Sequence, residues 1–513
     1  MTAPAVDRRG LRLIVAALVA AVLLSSLDAM IFNTALPTIV GQLHGIARMS
    51  WVPTAYLLTT VITMPVYGKL GDLVGRKWLF VAALALFLCG SVVGGLAGSM
   101  TMLIAARAVQ GLGGGGLMVL SQAIIADVVP ARERGRYMAV TGSVFIFSSV
   151  AGPLLGGWFT STIGWRWAFW MNVPIAVLAI VAAIALLHPI RAARRPRIDL
   201  PGIVLVAVAV TALLVLTSLG GRTIGWASPT ALALGGVTVA AAGCFVVAER
   251  RAPEPLIPVR LLADREFVLA TVGAASGALA MFGAAGYLPT YLQMVDGLTP
   301  TVAGLHMVPM VLGIGTAAFT SGHVMSRTGR YAWMPVAGAV TVAAALGLLW
   351  RLGVSTSPWI VSADVYLFGV GMGFGMQTLV IVAQNSFPAE VGTATASFSF
   401  FREIGAALGT AAVGGLFTAR LTARLAARLP AGLADGRSLT PAVVASLPAD
   451  LRERIAGAYH DALTPVFGGL APMMLAAALL LLLVRERLSG PPPPEGATEE
   501  PSEPRLAPSG REP

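Results

Sequence analysis

The stretch "GKLGDLVGRK", Gly68 to Lys77, sets four charged residues and three glycines between two long apolar runs. Before it stands "WVPTAYLLTTVITMPVY" (51–67), and after it "WLFVAALALFLCGSVVGGLAG" (78–98). Each run has about the length that crosses ~30 Å of hydrocarbon as a helix. Charge is scarce elsewhere: 12% of the 513 residues are charged, against about a quarter in a soluble domain. Hydrophobic residues make up 56%, and the mean hydropathy is +0.80. A soluble fold of this length cannot hide that much apolar surface. The sequence therefore predicts an all-α, polytopic membrane protein in which the 68–77 stretch is a tight turn between two spans.

Apolar runs bounded by charges, Pro/Gly pairs or short polar turns recur along the chain. They fall at 11–35, 51–70, 79–98, 101–125, 136–160, 166–188, 201–220, 229–248, 267–293, 302–325, 331–350, 359–385, 392–418 and 462–484, fourteen in all. The pair at 201–248 is weaker and also admits a merged or split reading. The first run is too long for a signal-peptide core and has no small-residue cleavage site after it.

Basic residues orient the set. With the amino terminus inside, the inner connections hold Arg8, Arg9, Arg12, Lys69, Arg76, Lys77, Arg132, Arg134 and Arg136, and the same bias continues to Arg485 and Arg487. The short outer connections keep only Arg48, Arg166, Arg222 and Arg351. Both termini are thus expected on the cytoplasmic side of a cell membrane. The expected organisation is a cytoplasmic amino terminus (1–10), a six-helix bundle (11–188), a two-helix insertion with its linkers (189–266) and a second six-helix bundle (267–485). The second bundle contains a long outer loop (419–461), and a Pro- and Glu-rich disordered tail (486–513) follows it. In the loop, Arg420, Arg424 and Arg428 recur at every fourth position, which reads either as a helix on the membrane surface or as an extension of the preceding span.

Several function classes drop out. The net charge of +11 does not form a basic face for nucleic acid, because the arginines lie at the ends of apolar runs. "GLGGGG" at 111–116 lies within a span with no Lys-Ser/Thr after it, so no ATP site is expected. The five histidines lack metal-ligand spacing, and Cys89 and Cys244 read as small packing residues. No metal, cofactor or catalytic constellation is expected, so work by this chain would draw on an ion gradient.

The chain also repeats itself. Shifted by about 258 residues, "VPARERGRYMAVTGSVFIFSSVAGPLLGGWF" from Val129 lies over "FPAEVGTATASFSFFREIGAALGTAAVGGLF" from Phe387. "GHVMSRTGRY" from Gly322 is a worn copy of the 68–77 stretch that has lost its aspartate. Parallel halves with two extra spans between them suit a secondary transporter. With these halves in view, "GKLGDLVGRK" resembles the loop signature of the major facilitator superfamily. "LDAMIFNTALPTI" (27–39), "RAVQGLGGG" (107–115) and "GPLLGGW" (152–158) resemble signatures of its fourteen-helix drug:proton antiporter branch, over roughly residues 11–485. The resemblance implies the major facilitator fold, proton-coupled multidrug efflux and a link to antibiotic resistance. It also implies that the pattern Gly142, Gly152, Pro153, Gly156 and Gly157 in the fifth helix marks export; glycine-rich packing without directional meaning is the alternative.

Individual residues carry the mechanism. Gly68 and Gly75 permit a tight turn. Asp72 suits the N-terminus of a helix in the other half, the span at 392 above all, and Arg76 suits an ion pair with Asp127. Gly68, Asp72, Gly75, Arg76, Lys77 and Asp127 would together form an inner gate that latches in one state; positive-inside topology plus a tight turn is the alternative, above all for Lys69 and Lys77. Asp28 and Arg107 fall at similar depth in the outer half of the membrane, where a buried acid is costly and functional. Their pairing reads as a proton-coupling site or as a static ion pair. Arg402 and Glu403 are adjacent, so on a helix they should point about 100° apart. A substrate cavity is expected to draw on Asn33, Gln110, Met281, Phe282, Tyr287, Tyr291, Gln293, Met372, Phe374, Gln377, Phe398, Phe401, Arg402 and Glu403, roughly a third of them in contact with it. The reading is a monomeric, proton-coupled exporter of small hydrophobic or cationic compounds. Export of a lipid, secondary metabolite or amino acid remains open, as does a non-transporting receptor or scaffold.

Overall fold

The computed structural model describes residues 8–43, 48–129, 133–187, 199–220, 224–354, 356–428, 444 and 447–486. Apolar segments in hydrocarbon must satisfy every backbone group within themselves, and long helices do so here. The first bundle holds α1 (Arg8–Gln42), α2 (Trp51–Val74), α3 (Arg76–Gly95), α4 (Met100–Val128), α5 (Arg134–Ser161), the short α6 (Trp167–Trp170) and α7 (Asn172–Leu186). The insertion is α8 (Leu200–Leu219) and α9 (Pro229–Glu249). After the one-turn α10 (Val259–Ala263) come α11 (Arg265–Ala284), α12 (Leu288–Met294), α13 (Pro300–Leu305), α14 (Val308–Thr328) and α15 (Trp333–Trp350). The chain ends with α16 (Pro358–Ser386), α17 (Val391–Arg428) and α18 (Ala449–Leu481).

Thirteen spans among the described residues are long and apolar enough to cross a membrane. The fourteenth is α2, whose Thr54, Thr59, Thr60, Thr63, Tyr56 and Tyr67 dilute its hydropathy while it packs between α4 and α17. The architecture is two six-helix bundles with a two-helix insertion. Polar caps begin several helices: the side chains of Ser99, Ser228 and Asp264 accept from the backbone N–H three residues on. Gly75 ends α2 with φ +93°, a conformation that leaves room for the sharp turn into α3.

Three expected spans are broken, the run at 166–188 into α6 and α7 with Met171 between them. The run at 267–293 divides into α11 and α12, and that at 302–325 into α13 and α14. Pro289 and Pro309 sit at the second position of α12 and α14, where a missing N–H starts a helix at no cost. The outer loop is also shorter than 419–461. The helix continues through Arg420 and Arg424 to Arg428, so these residues extend the preceding span rather than form a separate surface helix. Arg428 then pairs with Asp461 on α18. Residues 429–443 of that loop and 487–513 of the tail lie outside the described residues. Cys89 and Cys244 are exposed on the outer faces of α3 and α9 rather than packed.

The halves meet along two seams, α2 with α17 and α5 with α14. The insertion breaks this symmetry. α8 lies over the first seam in an apolar cluster that joins Val206 and Val210 to Val61 of α2 and Phe400 of α17. α9 packs on α8 and turns most of its surface outward.

Candidate functional site

At the end of the molecule that carries the 68–77 turn, here called the near end, the halves are fastened together. The Asp72 carboxylate accepts from Gly392 N–H (3.0 Å), Thr393 N–H (2.7 Å) and the Thr393 hydroxyl (2.8 Å). It therefore caps α17 across the seam, where a negative charge is favoured by the free N–H groups of a helix start. Gly68 lets the two backbones touch, since a Cβ there would lie 2.2 Å from Ala396 Cβ and 2.6 Å from Gly392 O. Arg76 holds the acid in place, donating to Asp72 at 2.7 Å and to Ala123 O at 3.0 Å and pairing with Asp127 on α4. Arg134 reaches across to Asn385 Oδ1 at 3.4 Å, and Gly142 of α5 faces the Gln377 amide of α16.

The lysines have specific partners. Lys69 pairs with Glu254 in the linker after α9 at 3.5 Å, and Lys77 donates to Ile184 O at 2.7 Å within its own half. Arg260 of α10 pairs with Glu390 beside the start of α17. In the second half Ser326 stands where the worn copy lost its aspartate, and its hydroxyl donates back to His323 O at 2.8 Å. Among the described residues, the carboxylate cap made by Asp72 has no counterpart at Ser326.

A second cluster lies about 30 Å along α1 from its start, toward the far end. Asp28 is completely buried and Arg107 nearly so, and the two form an ion pair. Asp28 also accepts from Gln110 Nε2 (3.1 Å) and Asn172 Nδ2 (2.8 Å), while Gln110 Nε2 donates to Ser91 Oγ at 2.8 Å. Four helices, α1, α3, α4 and α7, thus converge on one carboxylate. The Arg107 guanidinium stacks between Phe32 and Tyr56, 4.3 and 4.2 Å from their ring centroids, which stabilises the cation away from water. Gly152 and Gly156 let α5 approach α1 beside this cluster: Met30 Cβ lies 2.4 Å from a Cβ placed on Gly152, and Ile31 O lies 2.6 Å from one on Gly156. Thr34 donates to Pro153 O at 3.3 Å, while Gly157 faces open space.

A cavity of about 350 Å³ lies between the halves. Arg107 forms part of its wall with Ser25 and Tyr56, and Asp28 sits just behind. Opposite are Met281, Phe282, Met372, Arg402 and Glu403. The last two do not diverge as their helical phase suggests. Their long side chains bend together into an ion pair of 2.9 Å, and both face the cavity.

Other expected lining residues are elsewhere. Gln110 is buried in the Asp28 cluster. Tyr287 packs on Phe417, and Tyr291 is buried against His460, 3.1 Å from its Nδ1. Gln293 donates to Pro289 O on its own helix, and Phe374 packs on Trp333. Gln377 is buried at the α5–α16 contact, and Phe398 is in the core. Phe401 packs on Phe400 beside the insertion. The Asn33 side chain lies outside the described residues. Aromatic or amide character marked these residues, but helix phase decides which face they take. Ser91 and Asn172 carry no mark in the sequence, where they are single uncharged residues in apolar runs. Phe32 stands one helical turn from Asp28, a signal the sequence offered, whereas Tyr56 meets Arg107 only once α2 is placed beside α4.

With the two bundles and the cavity they share in place, the chain belongs to the Major Facilitator Superfamily, whose family model matches residues 18–410. It is 40% identical over 457 residues to an uncharacterized MFS-type transporter of Mycobacterium tuberculosis, a match covering 89% of this chain and 66% of that protein, just under two thirds of its length. It is 32% identical to the multidrug transporter protein MdtP of Bacillus subtilis over 80% of this chain and 75% of that one. Multidrug resistance protein 3 of Bacillus subtilis is also 32% identical, over 79% of each chain. Among solved structures, the human organic anion transporter MFSD10 superposes with a TM-score of 0.60 at 14% identity, covering 92% of this chain and 99% of that one. The proton:xylose symporter XylE gives 0.56 at 15%, covering 93% and 96%. Both share the fold.

Proposed function

We propose that this protein is a proton-coupled antiporter that exports hydrophobic or cationic drug-like compounds from the cytoplasm or inner leaflet by alternating access. The observation that carries the reading is the Asp28–Arg107 pair, buried at the wall of a cavity shared by both halves. A carboxylate in that setting is a proton carrier: movement of Arg107 on substrate entry would remove its counter-charge and favour protonation. The near end is the cytoplasmic side, as the basic residues there suggest, so the latched arrangement corresponds to the outward-open state. Likeness to multidrug transporters supports a broad hydrophobic cargo. A scaffold would have little reason to keep a buried acid just behind the wall of a cavity.

The test uses reconstituted vesicles with an imposed proton gradient and a pH-sensitive dye. Adding a transported compound should dissipate the gradient in wild type. Asp28→Asn should abolish uphill export while the purified variant still binds the compound. Uphill transport at the wild-type rate by Asp28→Asn would remove Asp28 from the coupling role.

A further inference from the structure

The cavity does not stop between the halves. It continues behind α11 and α16 to residues of α15 and α18, among them Ala339, Val342 and Met474. These four helices are the second-half counterparts of α1, α3, α4 and α7, by the order of the internal repeat. In the first half that four-helix centre is filled by Asp28, Ser91, Arg107, Gln110 and Asn172. In the second half it is partly hollow and lined by Gly, Ala, Met, Pro, Val and Leu, with no side chain that can hydrogen-bond.

Two glycines show that the space is kept open. Most glycines of α14, α15 and α16 serve close helix packing: a Cβ on Gly338, Gly369 or Gly371 would lie 2.0–2.7 Å from a neighbouring backbone oxygen. Gly277 and Gly375 differ. A Cβ on Gly277 would meet only the flexible end of Met372 at 3.6 Å, and one on Gly375 only Leu379 Cδ1 at 3.9 Å. Each missing side chain leaves room rather than contact. Apolar space of this kind stays dry and favours apolar atoms. The depth is also defined. Gly277 lies about 18 Å from the start of α11, and Gly375 about 17 Å from the end of α16, so the recess opens toward mid-membrane and runs to the near side. At its opening stands the Arg402–Glu403 pair. Glu403 is the more accessible of the two, with 23% side-chain exposure against 12%, and Arg402 engages only one of its oxygens.

We propose that this recess is a separate subsite that takes the unbranched hydrocarbon chain of a single-chain amphiphile, whose positively charged head rests against Glu403. The room left beside Gly277 and Gly375 suits a flexible methylene chain. The four methionines at or near the recess, Met281, Met372, Met376 and Met474, adapt to chains of different length. The proposal deepens the export reading and rests on it for the direction of movement.

The experiment measures equilibrium binding of alkyltrimethylammonium ions, butyl to hexadecyl, to the protein in lipid nanodiscs, with empty nanodiscs subtracted. Affinity should rise about fourfold per methylene, the equivalent of ~0.8 kcal/mol per buried CH₂, until the recess is full. Gly277→Leu and Gly375→Leu fill the recess from two helices, and both replace glycine with a better helix former. Each should weaken dodecyl binding at least tenfold more than butyl binding. Ala29→Leu, on the first-half wall, should shift all chain lengths by one factor, and so should Glu403→Gln. Losses independent of chain length in both glycine variants, or no losses, would overturn the subsite. Because binding needs no gradient, a length dependence without proton-driven transport would sink the antiport reading alone. Transport without length dependence would sink the subsite alone.

Discussion

Asp28 and Asp296 are both carboxylates withdrawn from bulk water, and their surroundings give them opposite consequences. Asp28 accepts from Arg107, Gln110 and Asn172, so its charge is met from three sides. Asp296, in the turn after α12, has a buried Oδ2 without a hydrogen-bond partner among the described residues, and burial raises its pKa from 3.8 to about 6. A raised carboxyl pKa means that folding favours the protonated form. Its favourable contribution is complete below the unfolded value and is lost as pH rises through about 6. Asp296→Asn should therefore match wild type in thermal midpoint near pH 4 and exceed it above pH 6. A constant difference across that range would count against the assignment. At this scale the sequence was legible where a charge interrupts hydrocarbon, as at Asp28, Asp72 and Arg107. It was opaque where the functional atom belongs to a neutral side chain: nothing separates Asn172 from other polar residues until α7 is placed beside α1. Conversely, Tyr291 and Phe398 have the right chemistry for a cavity but the wrong helical phase.

Between elements, the decisive contact is Asp72 on the first turn of α17, supported by Arg76 and Asp127. The chain could show that the 68–77 turn is charged and tight, and even point to the partner span at 392, because helix starts and acids attract. It showed less about breaks within spans, since Pro289 and Pro309 lie in runs that remain apolar throughout. A latching role for this contact would have a measurable strength. A coupling free energy of about 1–3 kcal/mol changes the ratio of states roughly 5- to 150-fold. With spin labels on the far ends of the two halves, Asp72→Asn should shift the distance distribution toward the closed far end. Lys69→Gln should shift it little, because Lys69 pairs with Glu254 of the linker and not with the second half. An unchanged distribution in Asp72→Asn would reduce the stretch to a topological anchor and a turn.

For the whole molecule, the orientation proposed from arginine and lysine is open to direct labelling. Cys89 and Cys244 are first replaced by serine, and single cysteines are then introduced. One within 430–445 should react with a membrane-impermeant reagent added outside intact cells, and one at 192–193 should not; the reverse pattern would invert the protein in the membrane. Two equal bundles rocking about one axis would have two equal seams, yet here they differ. Where α5 meets α14, no further span among the described residues is laid over the joint, and lipid could follow movement there. Where α2 meets α17, α8 touches both. Any rotation that parts this pair must carry α8 away with one of them and slide it over the other, exchanging contacts at Val61 or Phe400 for lipid. One seam would therefore be a solid sliding bearing and the other a fluid joint, so resistance to any such rotation would be borne mainly on one flank of the protein.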